Sequence, residues 1–391
     1  MSAIDHVREL AGTIGLRGST GPGERAAADY ALDALKRFGL QPTVERFRSS
    51  RSAWAPYSIF WGAVIASGAL FLFAGQIGAI AGFALSTAAL GSILLEMLFR
   101  PNPIRLLLPW GRSQNVWAEI APCEEVRERV VLVAHLDTHR TPLFFSTDGW
   151  VRLFGRLAPI GLVCTISLVA LFALGIPYAW PAIRFVAIPL LLVTLGMLGL
   201  TLQADLTPYT AGANDNASGV AVVLNLAKRF AEAPLQQTSI YAVLTGCEEV
   251  GCYGADAFLR AHRHELAGAV WIPIDTVGSR DADPVYLKAE RFLATTRSDP
   301  DLVRLADELC ANHPEWRVRS VHTAGGYTEG VMGAKYGQRV LTIGSQTRSG
   351  ILSEWHRPTD TVQNVSEETL VATESFVWEL LADLDARATR T

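Results

Sequence analysis

The sequence has no surplus of charge of either sign. Its 34 basic and 38 acidic residues leave a formal net charge of −4, too even a balance for a nucleic-acid binder, which carries a basic excess on some face. Nucleic acid is therefore excluded as a partner. Cysteine is scarce: Cys123, Cys164, Cys247, Cys252 and Cys310 form an odd set without zinc-knuckle spacing, so they read as reduced structural thiols. The first ten residues contain no long apolar run, and a cleaved secretory signal is not expected. Lysine is nearly missing, with four residues against abundant arginine and alanine, the composition of a bacterium with a GC-rich genome. Internal repeats and low-complexity tracts are absent from the sequence.

Long apolar runs, by contrast, are present. Half of the residues are apolar and the mean hydropathy is +0.23, above the usual soluble average. No charged residue occurs from Ser52 to Leu95, about twice the ~20 residues one helix needs to cross a bilayer. The run predicts two helices, Tyr57 to Ala74 and Ile77 to Leu98, turning near Gly75 and Gln76. A second uncharged run, Leu157 to Ile183, resumes after Arg184 and continues to Ala204, with Pro177 and Pro181 marking a turn. Trp54, Tyr57, Trp61, Trp150, Tyr178 and Trp180 fall near the ends of these segments, where amphipathic rings favour the headgroup layer. Two transmembrane hairpins are expected.

The rest alternates short β-rich runs with amphipathic patterns, the signature of a three-layer α/β domain. Expected strands are Gln41 to Phe47, Val116 to Ala121, Arg129 to Asp137, Ser239 to Gly246, Val270 to Val277, Val318 to Thr323 and Arg339 to Gly344. Expected helices are Arg25 to Phe38, Gly219 to Ala233, Gly251 to Ala261, Pro300 to Ala311 and Glu367 to Ala386. Soluble-type sequence occurs before, between and after the hairpins. The expected organisation is thus one catalytic domain (1–53, 100–156 and 205–391) interrupted by hairpins at 54–99 and 157–204.

Polar residues collect at the ends of these elements. The apolar run Val130 to Ala134 leads into His135-Leu136-Asp137, whose two polar side chains point to one side of the strand end, where α/β sheets place ligands. A histidine ligand oriented by a carboxylate is one use of such a pair; a structural pair is the other. Gly212 to Gly219 is a polar, small-residue loop opening a helix. Its Asp215 suits either an N-cap or the presentation of a carboxylate to a metal. Ile240 to Thr245 ends in Gly246-Cys247-Glu248-Glu249, and adjacent carboxylates in a partly dry site resist ionising together. Metal binding by one and proton transfer by the other resolves that conflict. Asp275 follows the strand from Val270, and the segment from Glu354 to Thr361 offers His356, with Asp360 as its partner or as a cap. Together these segments supply a mixture of nitrogen and oxygen donors that suits zinc.

In order and local context, His135-Leu136-Asp137, Asp215-Asn216-Ala217-Ser218-Gly219, Glu248-Glu249-Val250-Gly251, Asp275 and His356 resemble the co-catalytic two-zinc aminopeptidase family. Its relatives include bacterial leucyl aminopeptidases, glutamate carboxypeptidases and glutaminyl cyclases. The resemblance covers nearly everything outside the hairpins. It implies that His135 and Asp275 hold one zinc, Glu249 and His356 the other, and that Asp215 bridges them. Glu248 would be the general base and Asp137 the partner of His135, with two Zn2+ per chain. The resemblance also implies a cis peptide bond between Asp215 and Asn216. Family members often carry a tyrosine near the last histidine and Ser/Thr-Asp-His in the preceding loop, where this chain has Trp355 and Thr328-Glu329. Trp355 and Tyr327 are candidate oxyanion donors. A glutaminyl-cyclase-like acyltransferase and a non-catalytic receptor on the same fold are the alternatives.

Charge sets the expected topology. Arg46, Arg48, Arg51, Arg100, Arg105, Arg112, Arg152 and Arg156 lie on the catalytic-domain side, with Arg184 alone near a tip. A multi-pass protein of a bacterial inner membrane with a cytoplasmic catalytic domain is expected. Strands Val116 to Ala121 and Arg129 to Asp137 are expected to pair antiparallel. That would hang both hairpins from the sheet end bearing His135 and turn the catalytic mouth to the bilayer. Peptide substrates near the membrane, and the bilayer itself, are the expected partners; a homo-oligomer is compatible with the sequence.

Overall fold

The run Thr238–Thr245 is buried at every position, as expected for a strand flanked by neighbours on both edges and covered on both faces. In the computed structural model, which describes residues 1–178 and 181–389, it is the third strand of a six-stranded sheet. The strands of the chain are β1 (Thr43–Ser50), β2 (Trp110–Ile120), β3 (Glu128–His135), β4 (Thr238–Thr245), β5 (Val270–Pro273), β6 (Asp283–Arg291), β7 (Thr295–Arg297), β8 (Arg319–Ala324), β9 (Arg339–Val340) and β10 (Ile343–Gln346). The large sheet has the order β1-β2-β4-β3-β5-β9. β1, β2 and β4 run antiparallel to one another in turn, and β4, β3, β5 and β9 are parallel.

The helices are α1 (Ala3–Val7), α2 (Pro22–Arg37), α3 (Ala55–Phe73), α4 (Gly75–Met97), α5 (Asp148–Leu174), α6 (Pro181–Leu206), α7 (Gly219–Glu232), α8 (Tyr253–Ala261), α9 (Pro300–Asn312), α10 (Gly330–Lys335) and α11 (Glu367–Ala388). Strand alternation distributes the core to two faces. Val130, Leu132, Ala134, Ile240, Ala242 and Leu244 join a cluster with Val222, Leu226 and Phe230 of α7 and Phe376 and Leu380 of α11. On the opposite face Trp117 meets Phe258 of α8 edge to face, with ring centroids 5.8 Å apart. Helices thus cover both faces of a mixed sheet.

Two differences from expectation have local causes. β2 and β3 do not pair, because β4 lies between them. The link 121–127 steps over that strand by donating from Cys123 and Glu124 to the carbonyls of Leu235 and Gln236. β2 still runs antiparallel to β3 in direction, so its start and His135 share one sheet end. The expected strand Arg339 to Gly344 is split. Leu341 N–H still donates to Trp271 of β5, whereas Thr342 C=O accepts from Leu287 of β6, so the chain changes sheets within two residues. β6 belongs to a small second sheet with β7, β8 and β10.

The chain divides into two compact units: one of 1–51, 110–140 and 209–391, the other of 52–109 and 141–208. The second is helical, with four segments of 19 to 27 residues among the described residues that are long and apolar enough to cross a membrane. At 1.5 Å per residue the shortest spans roughly 28 Å, close to the ~30 Å hydrocarbon thickness. Its packing is inverted relative to a water-soluble bundle. Ser67, Ser86, Thr165 and Thr201 are buried and bond to carbonyls of their own helices, while Phe73, Ile77, Val163, Phe185 and Leu192 are exposed. Small residues set the close approach of helices, as in membrane packing: a Cβ on Gly82 would lie 2.8 Å from the Ser67 carbonyl of α3. Arg105 is buried against Glu96 and donates to Ser52 C=O. Trp180 lies outside the described residues.

Candidate metal centre

β3 ends at His135, β4 two residues before Cys247, and β5 two residues before Asp275. Parallel neighbours in register therefore deliver these side chains to one sheet end. His135 Nδ1 lies 3.1 Å from the Asp137 carbonyl and 3.5 Å from its Oδ1, so Nε2 faces the other way. There it lies 3.3 Å from Asp215 Oδ1 and 3.6 Å from Asp275 Oδ1. The other oxygen of Asp215 lies 3.3 Å from His356 Nε2, which is also 3.3 Å from Glu249 Oε2. One carboxylate thus presents one oxygen to each of two imidazoles. The five residues expected to hold metal are brought together in this way.

The loop carrying Asp215 is held from several sides. Asp360 Oδ1 and Oδ2 accept the backbone N–H groups of Asn214 (2.6 Å) and Asp215 (3.0 Å); the aspartate thus secures this loop. Asn216 bonds to Ile274 C=O and Thr276 N–H, and Asn214 Oδ1 accepts from Gly278 N–H, stitching the loop to the segment after β5. The Asp215–Asn216 peptide bond is cis, as the resemblance implied. Asp137, fully buried, accepts from Glu248 N–H (3.0 Å), Glu249 N–H (3.3 Å) and Ser19 Oγ (2.6 Å).

The electrostatics are those of carboxylates crowded in a dry site. Burial pushes the Glu248 carboxyl well above the usual carboxylate range; Glu249 and Asp275 add to this while His135 opposes it. Burial, reinforced by Asp215, pushes Glu249 up to about 7, and burial also raises Asp275. Asp215 is the exception, since bonds from His135 and His356 outweigh its burial and hold it well below the usual range. Against burial, Glu249 and Asp215 raise His356 to about 9. Glu249 Oε1 is buried without a hydrogen-bond partner. A buried acceptor with no donor, among like-charged neighbours and two imidazoles, is the environment a divalent cation relieves, and the mixed nitrogen and oxygen set fits zinc.

Sequence reasoning missed three residues. His139 groups with Glu249 and His356, their donor atoms all within 4.8 Å, as do those of His135, Asp215 and Asp275. Its signal was a second histidine four residues after His135. Arg17, 1% exposed, donates to the carbonyls of Leu10, Gly15, Leu136, Ala211 and Gly212, joining the loops that carry Asp137 and Asp215. Ser19 had no signal beyond its type. The Trp355 ring lies 4.5 Å from that of His356, while Tyr327 packs on Phe292.

Residues 200–381 match the model of peptidase family M28. Among solved structures, a zinc aminopeptidase from Bacillus subtilis is similar with a TM-score of 0.56 at 13% identity, over 98% of this chain and 94% of that one. A Zn-dependent exopeptidase from Parabacteroides distasonis gives 0.57 at 14%, over 97% of each chain. A glutaminyl cyclase from Porphyromonas gingivalis gives 0.57 at 16%, over 98% of this chain and 97% of that one. Comparison with characterised protein sequences returned no match. The match to the M28 model over residues 200–381 and the shared fold agree with the resemblance read from the motifs.

Proposed function

We propose that the protein is a membrane-anchored zinc exopeptidase that removes residues from the amino end of peptides. The observation that carries this reading is the placement of Asp215 between His135 and His356, one oxygen to each at 3.3 Å. His135, Asp275 and Asp215 would hold one zinc, and Glu249, His356 and Asp215 the other. When bound, the pair supplies a water of lowered pKa and polarisation of the scissile carbonyl. Glu248, raised by burial, takes the proton of that water and returns it to the leaving amine. Asp137 fixes the His135 ring and the backbone of Glu248 and Glu249 at once.

The four apolar helices, with apolar side chains turned outward, support two transmembrane hairpins inserted at 54–99 and 157–204 in one catalytic domain. The arginine distribution supports a bacterial inner membrane with the catalytic domain in the cytoplasm. β1 ends and β2 begins at the sheet end where β3 delivers His135. The chain therefore leaves the catalytic unit on the side of the metal ligands, which supports membrane-proximal peptides as substrates.

The test is a peptide-library digest in nanodiscs, read by mass spectrometry, with metal analysis, comparing wild type with Glu248→Gln. Loss of single amino-terminal residues in wild type alone is expected; products from internal cleavage, or none with zinc bound, would overturn the reading. The fold likeness to a glutaminyl cyclase favours a second reading, in which amino-terminal glutamine cyclises with loss of ammonia. The same digest separates the two, because hydrolysis adds water.

A further inference from the structure

His139 stands beside the proposed centre on a backbone pinned from both sides. Thr138 bridges to Gly18, Arg140 bridges to Tyr209, and the His139 carbonyl accepts from Thr210 N–H at 2.9 Å. Its ring is buried, and Nδ1 lies 2.6 Å from the Arg140 carbonyl. A carbonyl only accepts, so the proton sits on Nδ1 and the lone pair on Nε2. The ring stacks on that of His356 with centroids 3.7 Å apart and planes 14° from parallel. His356 itself comes from an irregular loop at φ 55°, a conformation uncommon for any residue with a side chain.

Proximity to Glu249 and His356 suggests a third ligand, but the stacking opposes it. A histidine binds metal through a lone pair in the plane of its ring, at about 2.1 Å. Two nearly parallel rings cannot both aim such lone pairs at one ion. The two rings are offset by a stacking separation, with centroids 3.7 Å apart, which is longer than a zinc–nitrogen bond of about 2.1 Å, so a lone pair in the plane of one ring does not converge with that of the other.

We propose that His139 is a positioning residue for the second metal site: its imidazole is the plate against which the His356 ring is held, so that His356 Nε2 faces Asp215 and Glu249. The two histidines are then oriented by different means, His135 by the carbonyl and carboxylate of Asp137 and His356 by an aromatic face. This rests on the two-metal reading.

The test is cobalt titration of the purified full-length protein, freed of metal, followed by visible absorption. Wild type should bind two equivalents, and fewer than two would reject the two-metal reading itself. His139→Ala and His139→Asn should retain the first equivalent and weaken the second by about tenfold to a hundredfold, the usual effect of removing an outer-shell partner. His139→Phe, which keeps a stacking face without nitrogen, should hold the second equivalent nearly as wild type does. Retention of the second equivalent by the Ala or Asn variant, or its loss in a Phe variant that keeps the first, overturns the proposal. Paramagnetic proton NMR of the wild-type cobalt form gives an independent count. Two solvent-exchangeable imidazole N–H signals, from His135 and His356, are expected, and a third would make His139 a ligand and end the proposal.

Discussion

Asp137 and Glu248 are joined by a hydrogen bond of 3.0 Å, from the Glu248 N–H to Asp137 Oδ1. The same aspartate carries His135 through its carbonyl and carboxylate. The proposed base and one proposed ligand therefore share a single support on neighbouring strand ends. Moving that support disturbs both.

Replacing Asp137 by Asn retains the size of the side chain but puts a donor where two backbone N–H groups and a serine hydroxyl are accepted. Outer-shell changes of this kind typically cost 10- to 100-fold in metal affinity or activity. Asp137→Asn is expected to lower both kcat/KM and the affinity of the first metal by at least about tenfold. Unchanged metal affinity, measured by competition with a chromophoric chelator, would separate Asp137 from the centre.

Glu248→Gln removes the base but none of the proposed ligands. Turnover should fall by about 10² to 10⁴ while metal content stays near that of wild type. Asp215→Asn should instead deplete both metals, because its two oxygens face different imidazoles. Elemental analysis of the two variants beside their rates checks the pair, and a fully active Glu248→Gln protein would refute the assignment.

Metal binding should release protons. In the metal-free site Glu249 is raised to about 7 and His356 to about 9, so near neutral pH the second site holds protons that a cation must displace. The sign follows directly: the ligand forms are the carboxylate and the neutral imidazole, both favoured by raising pH. Apparent affinity should rise through the window from about 7 to about 9, by about tenfold per pH unit for each proton displaced. Calorimetry at pH 7 in buffers of different ionisation enthalpy should show net release, and uptake would contradict the site.

Much of this was legible in the sequence for a physical reason. His135, Glu248, Glu249 and Asp275 follow uninterrupted apolar runs, and a buried parallel strand has no other way to look. Asp215 precedes a strongly amphipathic helix. β6 was hidden because Pro284, Lys288 and Glu290 break the apolar pattern, and its pairing with β10 and β8 depends on distant residues. The insertion of β4 between β2 and β3 is likewise a matter of tertiary order, which a short link does not encode. Arg17 acts through backbone carbonyls, contacts that leave no spacing in the chain, and the place of His139 four residues after His135 does not announce the stacking of its ring on that of His356.

Topology is open to a direct measurement. Among the arginines flanking the apolar helices only Arg184 lies near a hairpin tip, so the positive-inside rule puts the tips across the membrane from the catalytic domain. Single cysteines at Gly75 and Tyr178, in a variant lacking exposed Cys123, should react with an impermeant maleimide added outside intact cells. Labelling of both only after the membrane is opened would reverse the orientation.

The last expectation concerns Arg17, whose guanidinium ties the carbonyls of Leu10, Gly15, Leu136, Ala211 and Gly212 into one knot. Burial pulls its pKa down to about 10, against the pull of Asp360, Asp137 and Asp215, so it remains charged at neutral pH. Arg17→Met fills similar space yet leaves buried acceptors without donors, and hydrogen bonds to charged groups are worth roughly 1.5 to 3 kcal/mol each. A loss of about 3 kcal/mol or more is expected for the catalytic unit. Arg17→Lys should restore little, since a compact ammonium cannot reach loops on several sides as the planar fork does. Hydrogen exchange of the full-length protein in detergent is the measurement. Faster exchange in the segments around Leu136 and Gly212, with α3 to α6 unaffected, would fit the knot, whereas wild-type protection in Arg17→Met would show that the carbonyls find other donors.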